Sequence, residues 1–260
     1  MAVRLKSEAE INKLRRGGQK LAQIISDLAK EVRSGLVTAE LDQLAREKIE
    51  QVGATPSFLN YRPAGVPKSA GGFPAALCVS VNDEVVHGRP GSKRLTTGDL
   101  VSLDLGLVSE GLFTDMAITL AVGKVTAEAE KLLAVTAEAL DRGIAAARAG
   151  ERLGDIGWAI ESFVAKSGFG LVKDFGGHGV GFKVHEAPEV PNHGQPDTGL
   201  ELVPGLVIAI EPMVTSRHGA VVVDADGYTV RTKDGGLAAH FEHTVLITRS
   251  GPEILTKLIS

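Results

Sequence analysis

The chain of 260 residues has one cysteine, no run of basic residues and no long uninterrupted apolar segment. The single Cys78 cannot form an internal disulfide bond, which is typical of a cytoplasmic protein. No apolar stretch approaches the roughly 18 residues that a membrane-spanning helix needs, and the charged start does not resemble a signal peptide. With a net charge of -4 and no basic patch, nucleic acid is not expected as a partner. We predict a cytoplasmic protein without a membrane or nucleic-acid partner.

Hydrophobic periodicity predicts an α+β fold. Ser7 and Glu10 form a capping box that begins a first helix, and Gly35 ends it. Further helices are predicted at 38–52, 126–149 and 155–166, and strands at 76–81, 100–108 and 112–122. The Pro/Gly-rich stretch 54–75 is predicted to be a long loop, which in a compact domain is usually functional or mobile.

An internal repeat suggests that a single catalytic domain, residues 1–260, is built from two related halves at about 7–122 and 126–248. A shift of 115 residues aligns Gly35 with Gly150 and Gly53 with Gly168, and each pair of glycines encloses one predicted helix. The strands decide the matter, because Asp104 aligns with Glu211 and Asp115 aligns with Glu242. Two halves packed about a pseudo-twofold axis would bring these four carboxylates to one centre.

Asp104 and Asp115 are expected to be neighbours on one sheet face. The turn at 109–111 predicts a hairpin, which would bring the two acids opposite or diagonal to each other. Like charges this close are destabilising, and a divalent cation is the most direct compensation.

Four carboxylates with His178 would make an oxygen-rich site that two divalent cations balance. Such a site favours Mn, Fe(II), Co or Mg over a closed structural zinc site. A metal pair can activate water and polarise a carbonyl, so we expect metal-assisted hydrolysis. Phosphoryl chemistry is less expected, because the glycine-rich segment 176–181 lacks the Lys-Ser/Thr of a P-loop.

Each candidate residue also has a simpler interpretation. Lone strand acids are usually solvated, and the polar strand-face interpretation is strongest for Glu242. His178 lies in what reads as a glycine-rich turn, where glycines allow close backbone approach to a ligand. Cys78 is predicted to be a half-buried strand residue at a pocket. Three further histidines are predicted to lie on the surface: His193, His218 and His240.

Several segments together resemble the methionine aminopeptidases in order and spacing. They are Asn-Asp-Glu-Val-Val-His-Gly at 82–88, the pair Asp104 and Asp115, Gly-His-Gly-Val-Gly at 177–181, Val-His-Glu at 184–186, Ile-Glu-Pro-Met at 210–213 and Phe-Glu-His-Thr at 241–244. The resemblance covers nearly the whole chain. The short interval between His178 and Glu211 resembles the type I enzymes. The resemblance implies the pseudo-twofold pita-bread fold, an α+β fold with a central antiparallel sheet covered by helices.

The resemblance also implies the roles of individual residues. Two divalent metal ions, Co, Mn or Fe(II) with Zn as a further candidate, would be held by Asp104, Asp115, His178, Glu211 and Glu242. His185 would hydrogen-bond the scissile peptide, His87 would contact the substrate near the new amine, and Glu211 would shuttle a proton from the attacking water.

The same resemblance implies a methionine pocket shaped by Tyr61, Cys78, Val184 and Tyr228. Val184 stands where many family members have an aromatic residue, and Tyr228 replaces a common Trp. The loop at 64–75 is longer than the usual type I version. These departures are expected to affect side-chain preference rather than metal chemistry.

The resemblance predicts an enzyme that removes the initiator methionine from nascent polypeptides when the second residue is small. Met1-Ala2 of this chain would itself be a substrate by that rule. The expected partners are nascent N-termini, with transient ribosome contact, and the protein is expected to be a monomer. Two alternatives remain open: an X-Pro peptidase of the same fold, and a pseudo-enzyme that acts as a binding module.

Overall fold

The computed structural model describes residues 3–63 and 66–257. The predictions that concern Met1-Ala2 and the loop positions Ala64 and Gly65 lie outside these residues. The described residues form four helices: α1 (Glu8–Glu31), α2 (Thr38–Gln51), α3 (Ala127–Ala146) and α4 (Leu153–Val164). They also form fifteen strands: β1 (Thr55–Pro56), β2 (Leu77–Val81), β3 (Glu84–Val86), β4 (Leu100–Ser109), β5 (Leu112–Ala121), β6 (Gly170–Leu171), β7 (Gly177–Gly179), β8 (Glu186–Val190), β9 (Val207–Ile210), β10 (Met213–Thr215), β11 (Val221–Val223), β12 (Val230–Thr232), β13 (Ala238–His240), β14 (Glu242–Thr248) and β15 (Gly251–Ile254).

The helices begin where the sequence predicts, because local capping fixes their first turns. Ser7 accepts a hydrogen bond from the Glu10 backbone, and the Glu10 carboxylate accepts one from the Ser7 backbone at 2.8 Å. Their last residues differ from the prediction by a few positions. Helix α1 ends at Glu31 because Val32 is already extended, and Gly35, with φ of 91°, lies in the following turn.

Nine strands form one sheet in which every neighbouring pair is antiparallel. Its main order is β1-β4-β5-β14-β9-β7-β8, with β2 added beside β4 and β15 beside β14. Two three-stranded sheets, β13-β10-β6 and β11-β12-β3, lie outside it. Strands β11 and β12 form a further hairpin around Asp226-Gly227.

The hairpin of β4 and β5 is the longest pairing in the large sheet, and it forms as predicted. Ser109 pairs with Leu112, which leaves Glu110 and Gly111 as a two-residue turn. Both turn residues have positive φ, 52° and 79°, as a type I′ turn requires. This turn fixes the register of every residue along both strands.

The helices pack against the large sheet through two hydrophobic clusters. Alternate residues of β4, at 101, 103, 105 and 107, pack into a cluster with the apolar side chains of α1 and α2. Helices α3 and α4 pack in a second cluster with β9 and β14. Since successive side chains of a strand alternate between faces, Asp104 projects away from the first core.

The structure refines several other predictions. The stretch 54–75 includes β1 and one 3-10 turn at Lys68–Ala70, rather than loop alone. The glycines that frame the proposed repeat have similar positive φ: Gly35 and Gly150 at 91° and 93°, Gly53 and Gly168 at 66° and 83°. The division into two related halves stays a prediction. Within residues 3–63 and 66–257, none of the helices combines the length and apolarity required to cross a bilayer.

Candidate metal centre

Strand register brings three acids to one face of the large sheet. Asp104 on β4 lies opposite Ala117 on β5, and Ala117 in turn lies opposite Glu242 on β14. Asp115 precedes Ala117 by two residues, and residues two apart on a strand share a face. Asp115 itself pairs with Gly106. Asp104 and Asp115 are therefore diagonal neighbours, which is one of the two predicted arrangements.

Glu211 joins this row from β9. Ile210, the last residue of β9, lies opposite His243 on β14. Continuing the antiparallel register by one residue places Glu211 beside Glu242. Between the acids, Ala117 contributes only a methyl group and is 1% exposed. The small side chain of Ala117 thus leaves a space on this face of the sheet, and the carboxylates surround that space.

His178 lies on β7, not in a turn as the sequence suggested. The flanking glycines serve backbone packing rather than approach to a ligand. A Cβ at Gly177 would lie 2.1 Å from the carbonyl oxygen of Ala209, and one at Gly179 would lie 2.3 Å from that of Ala187. Neighbouring chain segments therefore pass so closely on both sides of His178 that only glycine fits.

All four acids are buried, with exposed fractions of 2–8%. The pKa of Asp104 is raised to about 7, chiefly by burial; His240 opposes the rise and Glu211 contributes to it. Burial is also the main cause that raises the pKa of Asp115, Glu211 and Glu242 well above their ordinary values. Ionised together without a compensating cation, these carboxylates would be strongly destabilised.

Two of the carboxylate oxygens are unsatisfied within the described part of the chain. Asp104 Oδ1 and Glu242 Oε1 are buried and have no hydrogen-bond partner. An unsatisfied buried polar atom costs about 1–3 kcal/mol. Oxygens of this kind on facing carboxylates fit the donor set of a divalent cation.

The hydrogen bonding of His178 prepares it as a ligand. Its Nδ1 lies 3.0 Å from the Gly179 carbonyl oxygen, which can only accept, so Nδ1 carries the proton. The lone pair is then on Nε2, 3.5 Å from Glu211 Oε1. Burial is the main cause that lowers the pKa of His178 to about 3, so the ring is neutral at pH 7. A lone pair facing an ionised carboxylate is unfavourable, and a cation between the two would relieve this repulsion.

Two sets of three side chains bring one ligand atom each to within 4.8 Å of the others. They are Asp115, His178 and Glu242, and Glu211, His240 and Glu242. Glu242 belongs to both sets. The residues therefore fit a pair of adjacent cations better than a single one.

His240 was predicted to lie on the surface, and the structure contradicts this. It is 1% exposed rather than on the surface. Thr119 Oγ1 donates to the His240 carbonyl and accepts from its backbone N–H, each at 2.8 Å. His240 Nε2 lies 3.2 Å from Glu211 Oε2, without hydrogen-bond alignment. The sequence held one indication of this: His240 precedes Glu242 by two residues, the spacing of a shared strand face.

The acids lie in a cleft of about 670 Å³ that also contains His87, His185, Tyr61, Cys78 and Tyr228. His87 has a left-handed backbone, with φ of 57°, a strained conformation that often marks functional positions. Burial lowers the pKa of His87 and of His185 to about 4, so both rings are neutral at pH 7.

The predicted pocket residues form one apolar cluster beside the acids. Cys78, on β2, lies opposite Asp104, on β4. Its exposed fraction is 3%, so it is more buried than predicted. Val184 packs in the same cluster as Cys78 and Tyr228, although it does not line the cleft itself. Phe58 and Phe73 complete the buried aromatic part of this cluster.

Comparisons with known proteins show to which family this chain is similar. Residues 12–249 match the model of metallopeptidase family M24. A methionine aminopeptidase of Clostridium perfringens is 48% identical over 252 residues, covering 97% of this chain and 98% of that protein. The crystal structure of a methionine aminopeptidase from Thermotoga maritima superposes with a TM-score of 0.93 at 41% identity, covering 98% of this chain and 100% of that one.

A more distant structure shares only the fold. Prolidase from Pyrococcus furiosus superposes with a TM-score of 0.77 at 22% identity, covering 98% of this chain but only 66% of the prolidase. The pita-bread fold is therefore confirmed, and the similarity in sequence is with the methionine aminopeptidases.

Proposed function

Because this chain belongs to metallopeptidase family M24, and within it to the methionine aminopeptidases, we propose that Asp104, Asp115, His178, Glu211 and Glu242 hold two divalent cations. The enzyme removes the N-terminal methionine from nascent polypeptides. One observation carries the metal assignment: four buried acids share one sheet face, and two of their oxygens have no partner within the described residues. When bound, such a cation pair activates water and polarises a carbonyl.

The protein side chains then bind and orient the peptide and move the proton. Glu211, at the edge of the acid row, is proposed to take a proton from the attacking water and pass it to the leaving amine. His185 is neutral at pH 7, so it has one N–H to donate to the scissile peptide group. His87 is proposed to contact the substrate near the new amine.

The apolar cluster beside the acids is proposed to hold the methionine side chain. Tyr61, Cys78, Val184 and Tyr228 contribute to it, together with Phe58 and Phe73. A thioether is unbranched and polarisable, and it packs favourably against aromatic rings such as these. A steric limit beside the metals would restrict the second residue to small side chains.

The identity of the metal, the oligomeric state and the compartment are further parts of this proposal. A ligand set of four carboxylates and one histidine favours Co, Mn or Fe(II), with Zn as a further candidate. We also propose a cytoplasmic monomer that meets nascent chains near the ribosome. The single, buried Cys78 is in keeping with a reducing compartment.

The test is metal titration of the chelator-treated protein with Met-Gly-Met and an X-Pro dipeptide as substrates. We expect metal-dependent release of methionine from the first and little cleavage of the second. Asp104→Ala should abolish turnover, while Asp141→Ala, at an exposed position on α3, should not. Near-normal turnover of Asp104→Ala with metal bound would refute the ligand assignment, and release of no methionine would refute the function.

A further inference from the structure

Tyr61 makes a direct contact with His185 that the metal ligands do not explain. Its hydroxyl oxygen lies 2.9 Å from His185 Nδ1. The two rings meet edge to face, with centroids 5.2 Å apart and an interplanar angle of 62°. Tyr61 therefore does more than provide apolar area to the pocket.

This contact can select the tautomer of His185. If the phenol donates its proton to Nδ1, the proton of the neutral imidazole must be on Nε2. Nε2 makes no hydrogen bond elsewhere in the described part of the chain, so its N–H is free to serve a substrate. The opposite tautomer would present a lone pair where the proposed function needs a donor.

Tyr61 is held at the base of a closed loop. Tyr61 and Phe73 pair through their backbones, since the Phe73 N–H donates to the Tyr61 carbonyl at 2.8 Å. The Asn60 N–H donates to the Phe73 carbonyl at 2.7 Å. Gly72 packs against the Asn60 backbone so tightly that a Cβ would lie 2.5 Å from the Asn60 oxygen.

Tyr228, the only other tyrosine in the chain, fastens this loop from the opposite side. Its hydroxyl donates to the Gly71 carbonyl at 2.7 Å and lies 3.4 Å from the Tyr61 carbonyl. Its ring packs edge to face on Phe73, with centroids 5.4 Å apart. The hydroxyl thus connects the residues just before β12 to the loop that carries Tyr61.

We propose that Tyr61 is a positioning residue that holds His185 in the Nε2-protonated tautomer, and that the Tyr228 hydroxyl supports Tyr61 by fixing the loop through Gly71. The inference rests on the proposed role of His185 as a donor to the scissile peptide. It makes the loop residues Gly71 and Phe73 part of the catalytic geometry.

Kinetics of Met-Gly-Met cleavage test the positioning role. Tyr61→Phe keeps the ring and removes the hydroxyl, and kcat should fall about fivefold to thirtyfold with KM changed less than about twofold. Tyr228→Phe should lower kcat about twofold to fivefold. In the double variant, the loss should equal that of Tyr61→Phe alone, because both act through one contact. Ser69→Ala, an exposed hydroxyl of the same loop, is the matched control and should leave both constants unchanged.

Nitrogen-15 NMR of the histidine rings in zinc-loaded protein tests the tautomer without measuring turnover. His185 should show a protonated Nε2 in the unmodified protein, and a mixture of tautomers in Tyr61→Phe. His243, whose Nδ1 lies 3.0 Å from Thr256 Oγ1, should not change and serves as an internal reference.

Unchanged kcat in Tyr61→Phe, a rise in KM alone, or the same His185 spectrum in both proteins would each overturn the proposal. Additive losses in the double variant would overturn the part assigned to Tyr228. If the proposed peptidase function were wrong, methionine release would be missing from every protein, whereas the NMR result would still decide the tautomer.

Discussion

Replacing Asp104 with asparagine should make the metal-free protein more stable at pH 8, although it removes a proposed metal ligand. Burial raises the pKa of Asp104 from 3.8 to about 7. Between these values the folded state retains a proton that the unfolded state has released. Each rise in pH across this window therefore favours unfolding. Asparagine resembles the protonated carboxyl in shape and never ionises.

The size of the effect follows from the displaced pKa. At about 1.4 kcal/mol for each pH unit, moving from 3.8 to about 7 corresponds to about 4 kcal/mol. Relative to the unmodified protein, Asp104→Asn should gain up to about 4 kcal/mol between pH 4 and pH 8. The groups that face Asp104 are Asp115, Glu211, Glu242 and His240, with Cys78 opposite it on β2.

The difference between the two proteins removes the contribution of three histidines. His87, His178 and His185 have lowered pKa values, so their contributions to stability increase as pH rises towards about 6.5. These histidines are present in both proteins, and their effect largely cancels in the difference. The curve of either protein alone would mix the two opposing trends.

The assay is equilibrium unfolding in urea, at pH 4 to 8, with a chelator present. The same measurements with added Mn²⁺ provide the functional counterpart. There the order should reverse, because a ligand that binds the folded state stabilises it and the variant binds less. A difference in unfolding free energy that is constant from pH 4 to pH 8, or a variant less stable throughout in chelator, would refute the reasoning.

Three further predictions concern other parts of the centre. His185→Ala should lower kcat about 10²-fold, because a transition-state contact is lost, while the metal content stays intact. Kinetics measures the first quantity and elemental analysis the second. Loss of metal would make His185 a ligand instead. His240→Ala should weaken Mn²⁺ binding about tenfold in calorimetry, since Nε2 lies 3.2 Å from Glu211 Oε2, and unchanged affinity would contradict that role. Gly177→Ala should lower the unfolding free energy by about 2–3 kcal/mol, because its Cβ would meet the Ala209 carbonyl. Gly91→Ala, where a Cβ meets nothing within 4 Å, should stay within about 0.5 kcal/mol of the unmodified protein, and equal effects at both positions would exclude the packing explanation.

The acids Asp104 and Asp115 could be placed together from sequence because strand alternation and a two-residue turn are local properties. The turn at Glu110-Gly111 alone sets which residues face each other across β4 and β5. The convergence of Glu211 and Glu242 with them was inferred from the repeat and the family resemblance. Its geometric basis is the pairing of β14 with both β5 and β9, in which Glu242 lies opposite Ala117, 125 residues away, and His243 lies opposite Ile210, 33 residues away.

The misplaced residues show where local reasoning ended. His240 was predicted to lie on the surface, yet β10 and Thr119 enclose it. The glycines beside His178 were interpreted as a turn, whereas they allow two backbones to pass closely. Both outcomes depend on which distant strands are neighbours, and no local pattern records that.

The sequence by itself determined the helix starts, the β4–β5 register and the chemical kind of the site, because capping, alternation and side-chain chemistry act over a few residues. Only the tertiary structure decided which oxygens stay unsatisfied, how far burial raises the pKa of each acid, and that Tyr61 reaches His185. These properties arise from desolvation and from contacts between distant segments, and both exist only once the chain has packed.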